Sequence, residues 1–105
     1  MLFLCSRNRR SSPTAERLFS DRADLEVASA GLASDAEEPV TPDLLDWAQL
    51  ILVMETVHRR RLQARFGRHP SHARVISLDI PDDYDFMDEA LVRLLTARAG
   101  PHLRR

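Results

Sequence analysis

Four short apolar runs limit what this chain can become: "LFLC" (2–5), "LEVASA" (25–30), "LILVM" (50–54) and "RVISLDI" (74–80). The third is apolar throughout and the fourth nearly so, as in strands covered on both faces. Helical patterns lie between them. Residues 13–22 put Ala15, Leu18 and Phe19 on one face, and "TPDLLDWA" (41–48) offers Thr41 as an N-cap with Pro42 at the first helical position. Residues 55–66 read as a strongly charged helix with Val57, Leu62 and Phe66 as core candidates, and residues 86–98 place Leu91, Leu94, Leu95 and Arg98 in register. Strand alternating with helix predicts βαβ units, hence an α/β fold with a parallel sheet and helices on both faces. With 105 residues there is room for one domain, expected over 1–99, followed by a loose tail at 100–105.

Charge narrows the partners. The net charge is −1, so no bulk electrostatic pull favours nucleic acid or an anionic membrane. The distribution is uneven, with six arginines and three histidines in residues 58–74 and six acids in residues 79–89. The run "HRRRLQAR" (58–65) has no aromatic residues interleaved for base stacking and reads as a solvated helix face. Of the four histidines, His58, His69, His72 and His102, the pair His69 and His72 lies in a proline-broken loop without partner ligands, so all four are expected to be surface histidines and no metal is expected. A single cysteine excludes an internal disulfide. No run approaches a membrane span, and "MLFLC" is too short for a signal segment, which makes the cytoplasm the expected compartment.

In a parallel α/β sheet the ligand crevice lies outside the carboxyl ends of the strands. That rule brings residues 5–12, after the first strand, and 79–85, after the fourth, to one edge. The first of these is "CSRNRRSS", with Ser12 a good N-cap and Pro13 a good first helical residue. Cys5 then faces a helix N-terminus, where unpaired N–H groups and the macrodipole favour a thiolate and other anions. Two readings of Cys5 stay open on the loop alone: a nucleophile in an anion cradle, or a buried cysteine closing a strand.

The stretch "FLCSRNRRSSPTAE" (3–16) resembles the phosphate-binding loop of low-molecular-weight protein-tyrosine phosphatases: Cys, five residues, Arg, Ser, Pro, then an "AE" helix start. "SAG" (29–31) is similar to the end of that family's second strand. "LILVMETVHRRRL" (50–62) is similar to its third strand and following helix, with Glu55 and His58 where Asp and Asn are commoner. "DIPDDY" (79–84) resembles the segment holding its general acid. The resemblance spans residues 1–98 and implies a four-stranded parallel sheet in the order 2-1-3-4. It also implies a phosphate-binding loop of Ser6, Arg7, Asn8, Arg9, Arg10, Ser11 and Ser12. Within it Cys5 matches the nucleophile, Asn8 a residue holding an unusual backbone conformation, and Ser12 the hydroxyl that bonds the thiolate. Asp82 matches the general acid, and Tyr84 an aromatic flanking the substrate ring. No cofactor is implied.

The sequence departs from that pattern at the residue that matters most for anions. Ser11 stands where the family has the arginine that grips two phosphoryl oxygens. Arg10 sits one residue early, at a spacing that points away from the cradle, and fills the place of a second loop cysteine. Asp83 replaces the proline after the acid and would sit at the pocket beside Tyr84. The connection from Gly31 to Thr41 is short, and Trp47 is expected to pack against the sheet. The resemblance therefore implies a phosphomonoesterase acting on a phosphotyrosine protein or small aryl phosphate through a cysteinyl-phosphate, with activity reduced or lost at Ser11. The alternative is a catalytically silent phosphate-binding module on the same fold.

Overall fold

The computed structural model describes residues 1–5, 11–20, 26–33, 36, 38–67, 74–81 and 84–103, without the side chains of Ser11, Ser12 and Leu103. Four strands alternate with four helices: β1 (Leu2–Cys5), α1 (Ser11–Phe19), β2 (Ala28–Gly31), α2 (Pro42–Trp47), β3 (Leu50–Val53), α3 (Thr56–Phe66), β4 (Arg74–Ser77) and α4 (Glu89–Ala99). A 3-10 turn, Gly100–Leu103, follows α4 directly. The strands form one parallel sheet in the order β2-β1-β3-β4, with Leu4 opposite both Ala30 and Val53.

The period of two in a strand divides the core. In β1, Phe3 and Cys5 join a cluster with Leu52, Met54, Ala15, Phe19, Leu91 and Leu95, so α1 and α4 cover that face. Leu2 and Leu4 point the other way, into a cluster with Ile51, Val53, Leu45 and Leu62 beneath α2 and α3. Every residue of β1 is buried, which explains its unbroken apolar sequence. The Phe3 and Phe19 rings stack with centroids 5.7 Å apart.

Helix boundaries differ from the sequence expectations for local reasons. The structure begins α1 at Ser11, so Ser12 lies inside the first turn and is not the N-cap. Pro13 is then the third helical residue, still among the positions whose N–H has no intrahelical partner. Helix α2 begins as expected, with Thr41 Oγ1 accepting from Leu44 N–H at 3.2 Å. Helix α4 starts at Glu89, because Met87 has φ of 60° and Asp88 Oδ1 accepts from Ala90 N–H at 2.8 Å.

Two expected core residues are on the surface. Val57 is 43% exposed, because the inward stripe of α3 runs His58, Leu62, Phe66 at four-residue spacing. Trp47 is 41% exposed at the end of α2, and Leu45 and Ala48 pack on the sheet instead.

Candidate active site at the carboxyl edge of the sheet

Main-chain bonds beyond the regular ladder organise this edge. Leu32 N–H donates to the Cys5 carbonyl at 2.9 Å, and Met54 N–H to the Leu4 carbonyl at 3.1 Å. Leu78 N–H donates to the Val53 carbonyl at 2.9 Å and Ile80 N–H to the Met54 carbonyl at 2.7 Å. The chain leaving β4 is thereby drawn back along the end of β3, towards β1.

Cys5 closes β1 and is 1% exposed, on the sheet face covered by α1 and α4 and in one cluster with Ala15 and Ile80. Five residues separate it from the first residue of α1. Those five, Ser6, Arg7, Asn8, Arg9 and Arg10, lie outside the described residues. Ser11 and Ser12 are placed as the first two residues of α1, their side chains outside the description.

Of the segment after β4, Ile80 is fully buried and Pro81 exposed, while Asp82 and Asp83 lie outside the described residues. Tyr84 is half-buried and packs against the same cluster as Cys5. Residues 85–88 form a turn closed by Asp88 N–H on the Asp85 carbonyl at 3.1 Å. Met87 N–H donates at 2.9 Å to Oγ1 of Thr14, a fully buried residue in the first half of α1. Of the two segments expected to share an edge, Cys5 of the first and Ile80 and Tyr84 of the second share one cluster there. Thr14 carries no charge and makes no motif by itself; only the fold reveals its partner.

Between the ends of β3 and β4 lies an open cleft of about 310 Å³ lined by Glu55, Thr56, Val57, Asp79 and Pro81. Asp79 has φ of 56° and its Oδ1 accepts from Ser77 Oγ at 3.1 Å. Arg98 reaches over from α4, its Nη1 donating to the Leu78 carbonyl at 3.1 Å and to the Asp79 carbonyl. Glu55 occupies the N-cap of α3, and its N–H donates at 3.0 Å to Nδ1 of His58. His58 is thus a buried capping residue, 1% exposed, and not one of the surface histidines expected. His69 and His72 lie outside the described residues, and among the described residues no three His, Cys, Asp or Glu side chains group as metal ligands. No described helix is long and apolar enough to cross a membrane.

Solved structures share this fold. The tyrosine phosphatase Wzb from Escherichia coli K30, in complex with phosphate, superposes with a TM-score of 0.75 at 22% identity, covering 96% of this chain and 93% of its own. This is the low-molecular-weight tyrosine phosphatase fold. Wzb from Vibrio vulnificus, in complex with benzylphosphonate, matches with a TM-score of 0.71 at 24% identity, covering 96% and 94% of the two chains. The YwlE arginine phosphatase from Geobacillus stearothermophilus gives 0.66 at 20% identity, covering 96% and 92%. No family model and no curated protein sequence matches the chain. In the low-molecular-weight phosphatase fold found here, the strand order 2-1-3-4 agrees with the sequence expectation.

Proposed function

We propose that the protein is a phosphomonoesterase that works through a cysteinyl-phosphate. The observation that carries this reading is the bond from Met87 N–H to Thr14 Oγ1, which joins the helix after Cys5 to the segment after Asp82 at one edge of the sheet. In the first step the Cys5 thiolate attacks phosphorus, the S–P bond forms and the P–O bond to the leaving group breaks. Asp82 gives its proton to the departing oxygen. In the second step Asp82 takes a proton from water, whose oxygen attacks phosphorus, and the S–P bond breaks to release phosphate and the thiolate. Loop amides from residues 6–12 and the N-terminus of α1 would bind the phosphoryl oxygens.

The reading is supported by the position of Cys5 at the carboxyl end of a central strand, with five residues between it and the next helix. The likeness in fold to phosphatases solved with phosphate and benzylphosphonate supports an aryl phosphate as the first substrate to try. Tyr84, packed at the same edge, and Asp83 are proposed to border the pocket. A second reading, a silent phosphate-binding module, is favoured by one residue: Ser11 supplies no guanidinium to the transition state.

Hydrolysis of p-nitrophenyl phosphate by the full chain tests the choice. The enzyme reading expects slow turnover that disappears in Cys5→Ser and rises by about 10³-fold or more in Ser11→Arg, the scale of a transition-state arginine in phosphoryl transfer. Phosphate binding with no turnover in either the wild type or Ser11→Arg leaves the binding module as the function.

A further inference from the structure

We propose that Thr14 is a positioning residue for proton transfer, fixing the acid-bearing segment against the helix that follows the nucleophile. This rests on the phosphatase reading above. Thr14 is fully buried, yet its hydroxyl oxygen is spent on a main-chain donor 73 residues away in sequence, at 2.9 Å. A buried hydroxyl costs free energy unless it is paired, so the bond selects one placement of the turn. Met87, the donor, has φ of 60°, a conformation unfavourable for a residue with a Cβ that must be held by its surroundings.

The rest of the turn is anchored independently. Asp88 caps α4 through Ala90 N–H and closes the turn on the Asp85 carbonyl, and Tyr84 lies against the Cys5 cluster. These contacts fix the segment to α4 and to the core. Thr14 fixes it to α1, whose first turn carries Ser11 and Ser12. Helix α1 belongs to the first βαβ unit and the turn at 84–88 to the terminal β4–α4 unit. A displacement of about 1 Å in a reacting group is enough to slow a reaction by about 10²-fold, so a bond between the two units acts on chemistry without touching substrate.

The chemical consequence is selective. A leaving oxygen of low basicity departs without much help, while a basic one needs the proton from the acid. Thr14→Val keeps the shape and removes the acceptor; Thr14→Ser keeps the acceptor and removes a methyl group. We expect Thr14→Val to lower kcat/KM for phenyl phosphate by about 10-fold or more while changing that for p-nitrophenyl phosphate by less than about 3-fold. Hydrogen exchange should show the Met87 amide losing protection in Thr14→Val, and Thr14→Ser should restore both readouts. Urea denaturation confirms that each variant is folded.

A fall of equal size for the two substrates, or no fall, overturns the positioning role while leaving the phosphatase reading intact. An unchanged Met87 amide in Thr14→Val overturns it as well. The same measurements in the wild type and in Ser11→Arg keep the two claims separable. If neither chain hydrolyses either ester, the phosphatase reading fails, and the positioning role fails with it.

Discussion

Arg98, one residue before the end of α4, donates through Nη1 to the carbonyl of Leu78 at 3.1 Å and to that of Asp79 as well. The guanidinium closes the chain end of β4 where Asp79, at φ of 56°, turns it towards the candidate site. An arginine in register with Leu91, Leu94 and Leu95 thus serves the core side of its helix by reaching past it.

Replacing Arg98 with Met should cost stability and activity together. The side chain keeps its apolar stem, but two carbonyls lose a charged donor, a loss of about 1.5–3 kcal/mol per such bond at most. Urea denaturation measures the first effect. Turnover of an aryl phosphate measures the second, and it should fall because the segment leading to Asp82 is no longer pinned.

His58 offers a cleaner test of local architecture. Its Nδ1 accepts from Glu55 N–H at 3.0 Å at the start of α3, so the ring acts as the acceptor half of a capping box. His58→Ala removes that acceptor and leaves a hole in a site 1% exposed, which should cost about 2–4 kcal/mol. His58→Gln, which keeps an acceptor at the same helical position, should recover part of it. Equal losses in the two variants in chemical denaturation would show that the ring volume matters and the bond does not.

Core and surface on the same protein should respond very differently. Leu91 is fully buried against β1 and β3, and Leu91→Ala should cost about 2–5 kcal/mol. Trp47 is 41% exposed, and Trp47→Ala should stay within about 1 kcal/mol despite the larger side chain. Midpoints in urea compare the two directly.

At the candidate site, Asp82→Asn should lower kcat/KM for an aryl phosphate by about 10²-fold or more, since the amide has no proton to give. Cys5→Ser should abolish turnover altogether. If Cys5→Ser retains the wild-type rate, the proposed mechanism is wrong.

The centre of the fold was legible because β1 and β3 are contiguous apolar runs covered on both faces, so no pairing partner was needed to see them, whereas β2 contains Ser29 and β4 begins at the exposed Arg74. The edges were less so. β2 occupies Ala28–Gly31 and not residues 25–30, because its limits follow from pairing with Leu2–Cys5, which a single run does not encode. Val57 and Trp47 read as core because they are large and apolar; helix phase set by His58, Leu62 and Phe66 overrode that for Val57. At the site, the cysteine and the acidic segment were visible as residue types in a known order. Thr14 and His58 were not, since a threonine or histidine becomes informative only when its partner, Met87 or Glu55, is brought to it. The whole loop between Cys5 and α1 and both Asp82 and Asp83 rest on the sequence alone.

The two borders of the sheet are finished in different ways. Beside β2 the chain doubles back, with Gly31 N–H on the Glu38 carbonyl at 2.8 Å, Val40 N–H on the Gly31 carbonyl at 2.9 Å, and Pro39, which has no N–H, between them. In β4, Arg74 and Leu78 donate inward to β3, so by the alternation of a strand Val75 turns its carbonyl outward, where Arg59 Nη2 binds it at 2.9 Å. A foreign strand therefore meets a proline on one flank and a guanidinium on the other. Free backbone positions on both borders of so small a sheet are thus capped by the chain itself, a safeguard written into the margins and independent of whatever happens at Cys5.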